Sequence, residues 1–111
     1  MKKKVEKWIY SDPSVRLPYF MMKHKCWRKL SCAAQSLYCY MRLSMYDMDT
    51  GYTNTNECRV AFGPSKAPGF GASKYYRAIN ELLTKGFVDL VSKGSHGKKA
   101  VYDMMTLRWL E

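Results

Sequence analysis

Gly69-Phe70-Gly71-Ala72-Ser73-Lys74-Tyr75-Tyr76-Arg77-Ala78-Ile79-Asn80-Glu81-Leu82-Leu83-Thr84-Lys85-Gly86-Phe87-Val88-Asp89-Leu90-Val91 decides how this chain is read. Its apolar residues change spacing across a single glycine. With Ile79 at the centre of a helical face, Tyr75, Ala78, Leu82 and Leu83 fall on the same side, and Ser73, Lys74, Arg77, Glu81 and Thr84 fall opposite. Lys85 then supplies a positive last turn and Gly86 the residue that best tolerates a left-handed C′ position. A helix over about 72–85 is the consequence.

Working outward, Phe87 to Val91 is short, β-branched and bounded by Gly86 and Gly94, and Ala100 to Met105 has the same character. The two runs predict a hairpin over about 87–105. Its loop, Ser92 to Lys99, holds three lysines, two glycines and no acid. An α-helix has the width of the DNA major groove, and a cationic hairpin tip beside it reaches the neighbouring backbone.

Gly69-Phe70, Ser73, Arg77-Ala78-Ile79, Leu82 and Gly86-Phe87-Val88-x-Leu90, in that order, resemble the second helix and first wing strand of prokaryotic winged helix-turn-helix proteins. The likeness is to small domains of plasmid- and phage-type replication initiators and of transcription regulators. Upstream, Leu17-Pro18-Tyr19-Phe20, Trp27-Arg28-Lys29-Leu30-Ser31 and Ala34-x-x-Leu37-Tyr38 resemble the opening of the same domains, so the resemblance covers about residues 15–109. It implies an α+β fold: a winged helix-turn-helix with a three-helix core and a small antiparallel sheet. It also implies a domain over 15–111 behind a basic arm at 1–14, and double-stranded DNA as the partner, in transcription regulation or replication. The sequence departs from the family pattern at Gly63-Pro64-Ser65-Lys66-Ala67-Pro68, where Pro68 leaves room for at most one helical turn. Gly71 stands where a Ser or Thr cap is usual, with Ser73 a candidate cap one turn later, and Lys74 stands where a short hydroxyl residue is common.

Composition agrees with a polyanionic partner. The 111 residues carry 19 Lys plus Arg against 9 Asp plus Glu, a formal charge of +10, and their 47% apolar content suits one domain with a modest core. No apolar run approaches the roughly 18 residues a membrane span needs, and the basic start, Met1 to Trp8, lacks the apolar core of a secretory signal. A cytoplasmic protein is expected. Cys26, Cys32, Cys39 and Cys58 are spaced too widely for a C-x-x-C pair, so no zinc or redox motif is read and the thiols are expected reduced and mostly packed. His24 and His96 are far apart, no Walker loop or nucleophile elbow is present, and neither catalysis, a metal nor a cofactor is expected.

Several local expectations follow. Trp8-Ile9-Tyr10 reads as a short strand and Ser11-Asp12-Pro13-Ser14 as a turn. Val15 to Phe20 reads as an extended segment with large side chains on the core. A short helix follows within 21–30, with Met22, Cys26 and Trp27 inward. Ser31 caps a long helix whose stripe is Ala34, Leu37, Tyr38, Met41 and Met45, although the Glu or Gln of a full capping box is missing. Asp47 to Glu57 reads as a loop and Cys58 to Phe62 as a third strand. Trp109 either folds onto its own core or joins an interface.

The candidate DNA-binding residues are Ser73, Lys74, Tyr76, Arg77 and Asn80 on the helix and Lys93, His96, Lys98 and Lys99 on the wing, with the Lys23 to Lys29 cluster clamping phosphates. Arg77 has two readings, a phosphate or guanine contact and an i,i+4 pair with Glu81. Tyr75 reads as core. His96 is a candidate minor-groove probe. A rival reading is a winged-helix protein-interaction module marked by an apolar patch of Trp8, Tyr52 or Trp109; RNA binding is a third, and homodimerisation through the carboxyl terminus is also open.

Overall fold

A computed structural model describes residues 17–47, 52–53, 59–95 and 97–110. The basic arm, the Trp8-Ile9-Tyr10 strand, the turn after it, most of the 47–57 loop, Cys58 and His96 lie outside the described residues. Among those described, the chain is α+β. Helices α1 (Tyr19–Lys23), α2 (Lys25–Arg28) and α3 (Cys32–Ser44) come first, then the strands β1 (Tyr46–Asp47), β2 (Tyr52–Thr53) and β3 (Arg59–Phe62). A single 3-10 turn at Pro64–Lys66 leads to α4 (Ala72–Lys85), β4 (Asp89–Ser92), β5 (Ala100–Asp103) and a closing 3-10 turn at Arg108–Leu110. No helix among the described residues is long and apolar enough to cross a membrane.

The core forms where two helical stripes meet. On α3, Ala34, Leu37, Tyr38 and Met41 are buried; on α4, Tyr75, Ala78, Ile79 and Leu82 are, and the two helices pack against each other. The three-stranded antiparallel sheet has the order β3-β5-β4, with Val60 opposite Tyr102 and Leu90 also opposite Tyr102, and a bulge between Leu90 and Ser92. Trp27 sets its edge against Tyr38 and Phe87, and Phe87 in turn stacks on Trp109 at 5.5 Å with rings nearly parallel. Trp109 therefore closes its own core. Tyr38 donates its hydroxyl hydrogen to the carbonyl of Met104 at 3.2 Å, tying the centre of α3 to the chain just past the sheet.

Local chemistry explains the boundaries of α4. Gly86 follows it at φ +85°, and its N–H bonds back into the last turn, as a left-handed cap requires. At the start, Gly71 gives no side-chain cap and Ser73 does not serve as one, since it is already helical; the Lys74 ammonium instead lies 4.6 Å from the centre of the Phe70 ring. Past the cap, Phe87 and Val88 are buried before pairing begins at Asp89, so the strand expected over 87–91 is shifted toward the tip. Arg108 reaches back to hold this corner, donating to the carbonyls of Leu83 and Val88, each at 3.1 Å, and pairing with Asp89.

Four expectations are corrected. Tyr19 and Phe20 begin a helix rather than end an extended segment, and both rings are largely exposed. The helix expected within 21–30 breaks at His24, whose Nδ1 caps α2, and the phase change buries Met21 in place of Met22 and leaves Cys26 half-buried. Tyr46–Asp47 pairs antiparallel with Tyr52–Thr53, so part of the expected loop is a two-residue ladder. Cys32 is exposed, at the first position of α3, rather than packed.

A fifth difference concerns the cap of α3. Ser31 accepts a hydrogen bond from the Ala34 N–H at 3.1 Å, as expected of an N-cap. The carboxylate absent from the local capping box comes from α4: Glu81 accepts from the Ser31 N–H at 2.8 Å and from its hydroxyl at 2.7 Å. The cap is completed across 50 residues of sequence and ties α3 to α4. Ser31→Ala and Glu81→Ala should each cost about 1 kcal/mol, and because both remove one link, the double variant should cost clearly less than their sum. Urea unfolding of the four proteins checks this; additive losses would show that the link contributes nothing.

Candidate nucleic-acid interface

Helix α4 turns about 100° per residue, which divides its surface into three parts. The inward arc carries Tyr75, Ala78, Ile79 and Leu82. The outward crest carries Ser73, Asn80 and Thr84, all exposed. Tyr76 stands on one shoulder of that crest with 59% of its surface exposed, and Lys74 and Arg77 stand, exposed, on the other. The outward side is open to solvent along its length, as a groove-reading helix requires.

The Tyr76 shoulder faces the β4–β5 ribbon. Tyr76 from α4 and Lys98 and Lys99 from the ribbon line one open groove, whose floor is Phe62, Tyr75 and Tyr102. The aliphatic stem of Lys99 lies against Gly63, close enough that a Cβ there would touch it at 3.7 Å. Tyr76 is held edge-on to Tyr75 at 5.1 Å, and Tyr75 stacks with Phe62. Rigid aromatic side chains thus support one wall and lysines form the other.

The ribbon ends in a tight reversal. Ser95 and Lys98 exchange both backbone hydrogen bonds, at 3.1 and 2.8 Å, and Gly97 takes φ +77° between them. Lys93, Lys98 and Lys99 are exposed, although Lys93 does not line the groove. His96 lies outside the described residues.

The Lys74 and Arg77 shoulder faces the start of α3 instead. Lys74, Arg77 and Glu81 line a second groove with Ser31 and Ala33. The Arg77–Glu81 pair does not form, because the Glu81 carboxylate is engaged by Ser31. Arg77 stays available for a contact from outside. Among the other acids, Asp89 pairs with Arg108 and Asp103 accepts from the Met105 N–H at 2.8 Å. Each of these acids serves the fold, away from the hairpin tip, and among the described residues none pairs with the lysines there.

Tyr102 also belongs to this site, although the sequence places it only within the Ala100 to Met105 run. Its phenol neighbours that of Tyr75, and burial, ahead of the neighbouring Tyr102 and Tyr76, pushes Tyr75 well above its ordinary pKa of 10.0. Above about pH 10 the unfolded chain releases a proton that the folded chain keeps. This contribution to stability is therefore complete below that pH and declines as pH rises toward the folded value. Tyr75→Phe should flatten the alkaline decline, as read by urea unfolding between about pH 8 and pH 11; an unchanged profile would rule Tyr75 out as its source.

Among the described residues, no cluster of three or more His, Cys, Asp or Glu is placed to hold a metal ion. Of the proposed contact residues, the fold brings Tyr76, Lys98 and Lys99 to one groove, sets Ser73 and Asn80 on the adjoining crest, and puts Lys74 and Arg77 on the far shoulder. Compared with protein-family models, curated proteins and solved structures, the chain matches none.

Proposed function

We propose that this chain is a winged-helix domain that binds double-stranded DNA, with α4 as the recognition helix and the β4–β5 hairpin as the wing. It acts by binding alone, in transcription regulation or replication. The observation that carries the reading is the shared groove: an exposed helix shoulder at Tyr76 and the wing lysines Lys98 and Lys99 line one surface, next to an unobstructed crest. The order of elements supports it, since α3, β3, α4, β4 and β5 follow the succession that the sequence resemblance implies, with a single 3-10 turn in place of the helix before α4. The formal charge of +10 supports it through counterion release.

In this arrangement Ser73 and Asn80 point toward base edges, Arg77 reaches a guanine edge or a phosphate, and the wing lysines hold the backbone. The single 3-10 turn at Pro64–Lys66 stands where the first helix of a helix-turn-helix would run, and the Ser31–Glu81 link provides a brace for α4 from the other side. Gel-shift titrations with duplex DNA, single-stranded DNA and structured RNA, each at two salt concentrations, test the reading. Tightest binding to the duplex, weakening steeply with salt, is expected; equal or tighter binding to RNA would refute it.

A further inference from the structure

An apolar groove between α1, the back of α3 and the carboxyl-terminal segment shares no lining residue with the groove between α4 and the hairpin. Phe20, Met105 and Leu107 are 61%, 48% and 62% exposed and line a groove with Met21, Tyr38 and Trp109. Tyr19 and Leu110, also exposed, adjoin Phe20 and Trp109 in sequence. So much apolar surface gathered on a small, highly charged chain calls for a cover. The groove measures about 210 Å³, below the 300–1,000 Å³ typical of small-ligand sites. It has room for a few side chains rather than a cofactor.

We propose that the groove is filled by the chain's own Trp8-Ile9-Tyr10 segment. The described structure begins at Leu17, and Pro18 already lines the groove, so the first described residues lie at its rim. Trp8-Ile9-Tyr10 is the aromatic cluster within an arm whose charged residues are Lys2, Lys3, Lys4, Glu6, Lys7, Asp12 and Arg16. Seven residues separate Tyr10 from Pro18, a reach of up to about 23 Å, and Asp12-Pro13 provides a place to reverse direction. Charge selects this occupant over a second copy. Two chains of formal charge +10 repel one another, whereas a tethered segment meets the groove at an effective concentration near millimolar.

The tryptophans make the idea measurable in the full-length chain. Trp27 and Trp109 are 6% and 5% exposed, so any tryptophan signal accessible to acrylamide comes from Trp8. The difference between the parent protein and Trp8→Phe should show a blue-shifted emission quenched several-fold less than a free indole. Leu107→Glu, a change at an exposed position, should raise that quenching several-fold while leaving the melting transition cooperative; Phe20→Ser should do the same if the first variant fails to fold. Free quenching of Trp8 in the parent protein would overturn the proposal, as would protection that survives a folded groove variant. Light scattering that shows a dimer dissociated by Leu107→Glu would overturn it in favour of a second copy. Duplex binding enters none of these readouts, so the DNA reading and this one can fail separately.

Discussion

Gly86→Ala should destabilise the protein by about 3 kcal/mol or more, a large share of the 5–15 kcal/mol that holds a typical domain together. Two costs add. At φ +85° a side chain adopts the left-handed region at a cost of about 1 kcal/mol or more. The new Cβ would also lie 2.7 Å from the Trp109 nitrogen and 2.8 Å from the Arg108 carbonyl carbon, which are backbone atoms and cannot rotate away. Relief requires moving the closing turn, and that turn carries both the Trp109 ring stacked on Phe87 and the Arg108 side chain bonded to Leu83, Val88 and Asp89. Gly97→Ala is the internal control. Gly97 has a similar φ of +77° but nothing within 4 Å of a Cβ, so only the conformational cost of about 1 kcal/mol applies. Chemical denaturation of both variants separates the terms; equal losses would show that the closing turn does not constrain Gly86.

The second large effect concerns binding. Replacing Lys93, Lys98 and Lys99 together by Ala should weaken duplex binding of every sequence and flatten the slope of log K against log salt by about 2–3, near 0.9 for each phosphate that the wing no longer neutralises. All three are exposed, two line the groove beside Tyr76, and the wing tip holds no acid to neutralise them. Folding should be little affected. Asn80→Ala and Arg77→Ala should behave differently, altering preference among sequences by about 1–3 kcal/mol at the bases they meet. An unchanged salt slope in the triple variant would remove the wing from the interface.

How much of this was legible in the sequence depends on the range over which each feature is determined. Helix α4 was legible to its ends, because its period, its basic last turn and Gly86 are local signals that agree. So was α3, through Ser31 and the Ala34–Met45 stripe. The third strand, expected over Cys58 to Phe62, is described at Arg59–Phe62, and the single turn at Pro64–Lys66 follows from Pro68. Reading failed where tertiary packing chooses between phases. At Met21 and Met22 two similar residues compete for one inward position, and the break at His24, made by a side-chain cap, decides between them. Glu81 looked like the partner of Arg77, but the open cap at Ser31 offers two donors to one carboxylate and takes it. The missing capping-box acid was a signal in its own right, pointing to a long-range acceptor. The apolar face around Phe20 and Leu107 was not legible, since their spacing has no common period and only the fold brings them together.

Amide chemical-shift mapping of the labelled protein during titration with duplex DNA tests the central claim most directly. Shifts are expected to concentrate on Ser73 to Thr84 and on Lys93 to Lys99, with the Phe20 and Leu107 surface unmoved. Shifts confined to that apolar surface, with the α4 crest and the wing silent, would contradict the claim.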